Sequence, residues 1–234
     1  MTQQETFKKE KSYQIFDQIY LQYDLINRIL SFGSDLRWRK KLIDFLPDKE
    51  NLSVLDIATG SGDQIVCLLN QKKTFERIIG IDLSEKMLEI ARKKTQHFPY
   101  VQIEKGDAQN IPFDSNSFDC LTCSFGIRNV GNLSKTLEEM HRVLKPKGRA
   151  IILEFSLPKS RIFKILHLFY LRKILPVIGG IISKNRPAYT YLNETIESFP
   201  YGSDFSNHLK KANFKNVHFK TLSFGALTAY IAEK

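Results

Sequence analysis

The run Val54-Leu55-Asp56-Ile57-Ala58-Thr59-Gly60-Ser61-Gly62-Asp63 constrains this chain most: an apolar strand passes through a glycine turn and into a helix. Small residues in such a turn let a ligand approach the backbone, and the helix N-terminus beyond it offers free N–H groups. From residue 52 onward short β-rich runs alternate with amphipathic helical stretches, the pattern of a parallel sheet covered by helices on both faces. Strands are predicted at Ser53–Ile57, Arg77–Asp82, Val101–Lys105, Phe118–Ser124 and Arg149–Phe155, with helices such as Ser84–Thr95 and Leu133–Leu144 between them. Ser84 with Glu85 caps the first of these helices, and Pro146 with Gly148 stops the second. Asn216–Ser223 and Leu227–Glu233, separated by Phe224-Gly225-Ala226, read as a hairpin. The expected fold is therefore α/β and Rossmann-like, a mostly parallel seven-stranded sheet ending in an antiparallel pair.

A chain of 234 residues, 42% hydrophobic and 26% charged, buries one substantial core, and it shows no internal repeat. One domain spanning 1–234 is expected. Its parts are a helical cap at 1–50, a core at 51–156, a basic helical lid at 157–202, and a closing helix and hairpin at 203–234. Three cysteines are too few for a disulfide framework, and Met1–Lys11 is polar, so a reducing cytoplasm is the expected setting. The net charge of +10 is concentrated: residues 156–234 hold 12 Lys/Arg against 4 Asp/Glu, and Lys159–Arg186 holds seven basic residues and no acid. A nucleic-acid footprint over the whole protein is disfavoured. The uncharged apolar run Ile174–Ser183 is 10 residues, against roughly 20 for a spanning helix, so no transmembrane segment is expected. Phe163, Leu166, Phe169, Tyr170 and Ile174 do recur at helical spacing among Lys164, Arg172 and Lys173. That pattern suits either peripheral docking on a membrane face or a lid packed on the sheet.

A glycine turn alone identifies no ligand. Asp82 adds force, because it ends Gly80-Ile81-Asp82-Leu83-Ser84, 20 residues after Gly62, where an acid can accept from both hydroxyls of a ribose. A dinucleotide fingerprint would place a third glycine at Ile65. Instead Asp56 opens the turn, which resembles the acidic-x-Gly-x-Gly-x-Gly loop of S-adenosylmethionine-dependent methyltransferases, with Ala58 in the place of the first glycine. Gly106-Asp107-Ala108, followed by Ile111-Pro112-Phe113 and Ser117-Phe118-Asp119, resembles the segment that holds the adenine in that fold. The resemblance implies that Asp107 accepts from the adenine amino group and that Ala108 offers its N–H. Gly60, Ser61, Gly62, Met87 and Ser124 complete the candidate cofactor set.

Longer stretches narrow the resemblance. Phe125-Gly126-Ile127-Arg128-Asn129-Val130, Arg142-Val143-Leu144-Lys145-Pro146, Leu153-Glu154-Phe155-Ser156 and Tyr191-Leu192-Asn193-Glu194-Thr195-Ile196 are similar to the menaquinone and ubiquinone biosynthesis C-methyltransferase family. The opening from Phe16-Asp17 through Tyr23-Asp24, Asn27 and Leu30-Ser31-Phe32-Gly33 to Trp38-Arg39 resembles it too. Ser61 stands for a usual threonine, Lys147 for the first glycine of a Pro-Gly-Gly turn, Ser183-Lys184-Asn185 for Ser-Gly-Asp, and Tyr230 for a histidine. The resemblance implies S-adenosyl-L-methionine as cofactor and a prenylated quinol, demethylmenaquinol first among them, as acceptor. It implies Arg128 as the group that stabilises phenolate charge and Asn129 as the one that orients the hydroxyl, with Tyr23, Asp24 and Asn27 on the substrate side. For Arg128 the plain alternative is a surface salt bridge to a neighbouring helix, for instance at Glu138.

Cys120 and Cys123 are three apart on a strand, which points them to opposite faces, and the five histidines show no ligand spacing, so no metal site is expected. A homodimer is compatible with the sequence. So are three other readings: methylation of another small phenol or acid on the same scaffold, a non-catalytic cofactor-binding subunit, and a nucleotide-dependent dehydrogenase.

Overall fold

Strand-forming and helix-forming stretches alternate along the chain, and in the computed structural model, which describes residues 12–183 and 185–234, they assemble around one sheet. Met1–Lys11 and Lys184 lie outside the described residues, and with them the polar opening of the chain and one of the basic residues of the lid. Helices α1 (Tyr13–Leu30) and α2 (Ser34–Lys41) and a 3-10 turn (Leu42–Phe45) precede the sheet. Then come β1 (Leu52–Ile57), α3 (Asp63–Leu69), β2 (Phe75–Asp82), α4 (Glu85–Thr95), β3 (Val101–Lys105), β4 (Phe118–Ser124), α5 (Leu133–Val143) and β5 (Leu144–Phe155). The lid comprises α6 (Arg161–Phe169), a π-helical turn (Tyr170–Ile174), α7 (Leu175–Ser183) and α8 (Arg186–Ser198); α9 (Ser203–Lys211), β6 (Lys215–Leu222) and β7 (Leu227–Glu233) close the chain.

The strand order is β3-β2-β1-β4-β5-β7-β6, with β1 to β5 parallel and β7 antiparallel to both β5 and β6. Chain order reverses between β1 and β4, so a crevice opens at their carboxyl ends, where ligands bind in open α/β sheets. Every residue of β1 and β4 is buried, as strands covered on both faces require. Cys120 packs into the core on one side of the sheet and Cys123 into the core on the other, as their spacing predicts.

The local signals act as expected in most places. Ser84 caps α4 by accepting from the Met87 N–H at 3.2 Å. The strand after α5 begins earlier than its β-rich core suggests: Pro146 does end the helical stretch, but Leu144 is buried and already pairs with Phe118. Lys147 has φ +63°, the left-handed conformation for which a glycine is the usual residue. Tyr230 is buried in the core, its ring against Phe205 and its hydroxyl accepting from the Gly202 N–H at 2.7 Å, so this departure from the family pattern is absorbed by packing.

Cap and lid share a core of their own, built from Ile19 and Ile26 of α1 with Leu171, Leu175, Tyr189 and Ile196. The helical path from Arg161 to Ser183 is 23 residues without a break, and an 18-residue window of it averages 1.6 in mean hydropathy. By length and composition alone it reaches what a spanning helix needs, being longer than its ten-residue uncharged run. Its second half is anchored in the protein through Leu171, Leu175, Pro176 and Gly179.

Gly62 tests how closely α4 packs on the glycine turn. Its φ is +84°, and a Cβ there would lie 3.0 Å from the Ala91 Cβ. Gly62→Ala is expected to lower the unfolding free energy by about 1–3 kcal/mol, with an unchanged denaturant slope in urea titrations.

Candidate functional site

At the sheet switch point, Asp56 ends β1 with a buried carboxylate that accepts from Thr59 Oγ1 at 2.6 Å and Thr122 Oγ1 at 2.5 Å. Burial pushes its pKa up to about 6, and the two hydroxyls oppose that rise. Both oxygens thus have partners in the loop and in β4, and Asp56 stands behind the adjoining cavity, absent from its wall. Gly62 is likewise behind the wall. In the fold, Asp56 sets loop position and Gly62 sets helix packing, and the predicted cofactor residues on the cavity wall are their neighbours.

The cavity itself measures about 310 Å³, and the other sequence-predicted cofactor residues meet on it: Gly60, Ser61, Asp82, Met87, Asp107, Ala108 and Ser124. Asp82 accepts from the Gly60 N–H and the Ser84 N–H, both at 2.9 Å, one through each oxygen. A carboxylate oxygen has two lone pairs, so each retains acceptor capacity toward the cavity. Asp107 closes its own turn by accepting from the Gln109 N–H at 2.8 Å. Ser124, at the end of β4, donates to Gln64 at 2.9 Å. Asn129 is on the same wall, and its buried Oδ1 has no partner among the described residues.

A second cavity of about 290 Å³ lies between the cap and the lid. Its lining is largely apolar and aromatic, including Ile19, Ile26, Leu171 and Tyr189, and Arg128 reaches into it. Phe16, Tyr23, Arg39 and Phe125 line both cavities, so these four side chains form the wall where the two meet.

Arg128 is buried and pairs through Nη1 with Glu154 at 2.9 Å and with the Phe125 carbonyl, while its guanidinium lies 5.4 Å from the Phe155 ring centroid. The alternative reading of Arg128 as a surface bridge, for instance to Glu138, does not hold: its ion pair is buried and made with Glu154. Two sequence candidates separate here: Arg128 faces the apolar cavity and Asn129 the polar one. Of the substrate-side trio, Tyr23 and Asn27 line the apolar cavity. Asp24 is occupied elsewhere, accepting from Ser61 Oγ at 2.5 Å and from Lys94 at 2.6 Å. Lys94 also bonds Asp63, Asp63 accepts from Arg28 at 2.7 Å, and Arg28 pairs with Asp35. This chain of charges clamps the cap onto the first turn of α3.

Arg39 is the residue whose role the sequence concealed. It is buried in the shared wall, its guanidinium 5.1 Å from the Phe125 ring centroid, and its Nε has no partner among the described residues. Burial raises the Tyr23 pKa, which keeps that phenol protonated at neutral pH, although Arg39 pulls the other way.

Residues 4–234 fit one sequence family nearly from end to end. The chain belongs to the ubiE/COQ5 methyltransferase family. Among its relatives is the ubiquinone/menaquinone biosynthesis C-methyltransferase UbiE of Campylobacter jejuni, 43% identical over 97% of this chain and 99% of that one. A demethylmenaquinone methyltransferase of Thermus thermophilus is 37% identical over 94% of this chain and all of its own. Among solved structures, an S-adenosylmethionine-dependent methyltransferase of Thermotoga maritima matches with a TM-score of 0.67 at 21% identity, covering 95% of this chain and 99% of that one, which supports the fold. In this member of the ubiE/COQ5 family, several residues that carry the sequence resemblance, among them Gly60, Asp82, Asp107, Tyr23, Arg128 and Asn129, line two adjoining cavities.

The Asp56 carboxyl gives a pH test. Its pKa in the fold, about 6, exceeds its ordinary 3.8, so the folded state holds the proton more tightly and Asp56 favours folding most at low pH. That contribution is lost as pH rises through the window from about 4 to about 6. Between about pH 4.5 and pH 7 the wild type is expected to lose about 2 kcal/mol more unfolding free energy than Asp56→Asn, measured by urea denaturation at each pH.

Proposed function

We propose that this chain catalyses S-adenosylmethionine-dependent C-methylation of a prenylated quinol, converting demethylmenaquinol to menaquinol. The observation that carries this reading is the shared wall: a polar cavity with the acidic and glycine features of a nucleoside site abuts an apolar cavity that contains a buried arginine. The names of the relatives agree with it.

The residues present fit the cofactor. Asp82 has acceptor capacity for a ribose diol, Asp107 and Ala108 stand where an adenine edge would be read, and Met87 and Leu83 give an apolar surface for its ring. Above Gly60 a Cβ would meet nothing within 4 Å, so the turn leaves room for a ligand against its backbone. S-adenosylmethionine, when bound, supplies an electrophilic methyl group.

The protein's task is to hold the acceptor carbon in line, exclude water and favour a phenolate, whose charge enriches the neighbouring ring carbon. Phe16, Tyr23 and Phe125 pack the wall and keep water out. Arg128 and Arg39 supply positive charge from two sides, and desolvation strengthens their attraction for an oxyanion. Glu154 fixes the Arg128 fork in one orientation. Asn129, on the wall of the polar cavity and with an Oδ1 that has no partner among the described residues, is the candidate to orient an acceptor hydroxyl.

The reading is tested by methyl incorporation into quinols. Radiolabelled cofactor with demethylmenaquinol and a reductant is expected to yield labelled menaquinol, and the fully oxidised quinone is expected to yield none, because it has no ionisable hydroxyl. Equal labelling of quinone under conditions that prevent its reduction would overturn the mechanism.

Two substitutions separate the cavities. Asp82→Ala is expected to weaken S-adenosylmethionine binding by about 2–4 kcal/mol in calorimetry, since it removes a charged acceptor from the diol and from Gly60. Arg128→Lys keeps a charge for Glu154 without the planar fork, so cofactor affinity should hold while turnover falls roughly 10- to 100-fold.

A further inference from the structure

Helix α6 is an apolar-rich element that the fold leaves largely uncovered. None of its nine residues is buried, although Ile162, Phe163, Ile165, Leu166, Leu168 and Phe169 are apolar. Ile162 is 71% exposed, and Ile165, Leu166 and Phe169 are each exposed by more than half. Continuous apolar surface of this kind marks an interaction site. Of the predicted stripe, Leu166 and Phe169 face outward with Ile162 and Ile165, whereas Phe163 stacks on Phe224 and Tyr170 lines the second cavity. The π-helical turn Tyr170–Ile174 then shifts the helical register, and beyond it Leu175, Pro176 and Gly179 are buried in the protein.

We propose that α6 docks the protein on the surface of an anionic lipid bilayer, beside the mouth of the acceptor cavity. Charge names the occupant. Lys159, Arg161, Lys164 and Lys173 are exposed around the apolar face, and no acid lies between Lys159 and Arg186. Arg172 is excluded from this set, being paired with Glu197 through Nε at 2.9 Å. Basic residues interleaved with large apolar ones suit an interfacial helix, each cation adding attraction to anionic headgroups. A second copy of this chain fits poorly, since a two-fold contact through α6 would set Arg161 and Lys164 against themselves with no acid opposite.

Continuity with the second cavity supports the same partner. Phe32 lines that cavity and is 85% exposed, so the cavity reaches the outside at the corner between α1 and α2. Next to it, the Leu30 carbonyl accepts from the Tyr170 hydroxyl at 2.6 Å, which ties the end of α6 to this corner. Along α1, Leu21, Leu25 and Ile29 form a second exposed apolar stripe that runs toward Phe32. Lipid as the partner rests on the quinol reading, because a prenylated acceptor resides in a bilayer and enters most directly through a mouth held against it.

The experiment is co-sedimentation of the full chain with vesicles of phosphatidylcholine alone or mixed with phosphatidylglycerol. Binding at low salt is expected to rise at least tenfold with the anionic lipid and to fall as salt screens the charges. The triple variant Ile162→Ser, Leu166→Ser, Phe169→Ser alters no residue of either cavity. It should retain the wild-type circular dichroism spectrum and S-adenosylmethionine affinity while binding vesicles at least tenfold more weakly. Four results would each overturn docking: no vesicle binding, equal binding by the variant, resistance of the bound protein to alkaline carbonate extraction (a spanning helix), or a salt-resistant dimer abolished by the variant. Methylation of a short-tailed quinol in solution, measured in parallel, keeps the two proposals apart. Turnover without vesicle binding sinks docking alone, and vesicle binding without turnover sinks the quinol reading alone.

Discussion

The binding crevice depends on one buried carboxylate. Asp56 is drawn out of water at the end of β1, and the hydroxyls of Thr59 and Thr122 hold it there. One of those hydroxyls belongs to the glycine loop and the other to β4, so a single side chain fixes the loop relative to both strands that flank the switch point. A buried carboxylate without such partners would carry the full cost of desolvation. The loop is tight: Ala58 has φ +51°, and a Cβ added to Gly126 would fall 2.3 Å from the Ala58 Cβ, so the Ala58 methyl of the loop packs directly on the glycine backbone of the turn after β4. The site is shaped by this contact before any ligand enters.

What the sequence made legible were features whose signal is local. Strand and helix periodicity, the Ser84 cap, Asp82 at the end of β2 and the turn at Asp107 are each readable within a window of a few residues, and each is found in its expected place. Roles set by contacts distant along the chain were not readable. Arg128 meets Glu154, 26 residues away, a partner that no local pattern around Arg128 announces. Arg39 sits in a sequence of charged residues that looks like an exposed helix, and its burial arises because α2 folds over a crevice built by β1 and β4. The apolar stripe of the lid shows the same limit: periodicity reveals that a face is apolar but leaves undetermined whether protein covers it.

Charge fixes how the cap sits on the sheet. Asp24, Lys94, Asp63, Arg28 and Asp35 form an unbroken chain of opposite charges between α1, α2, α3 and α4. Two carboxylates in it are largely buried, and Lys94 and Arg28 hold Asp63 below the usual carboxylate range. A packed apolar interface would tolerate sliding, whereas alternating charges define one register. The cap residues Phe16, Tyr23 and Arg39 are thereby presented to both cavities at once.

That shared wall makes the two cavities thermodynamically dependent. If filling one shifts Phe16, Tyr23, Arg39 or Phe125, the other is reshaped by the same movement, so the affinities for the two ligands are coupled. Reciprocity then requires that each ligand change the affinity of the other by the same factor. The wall between two substrates would in that case be a conduit for cooperativity as well as a place for chemistry, carried by four side chains.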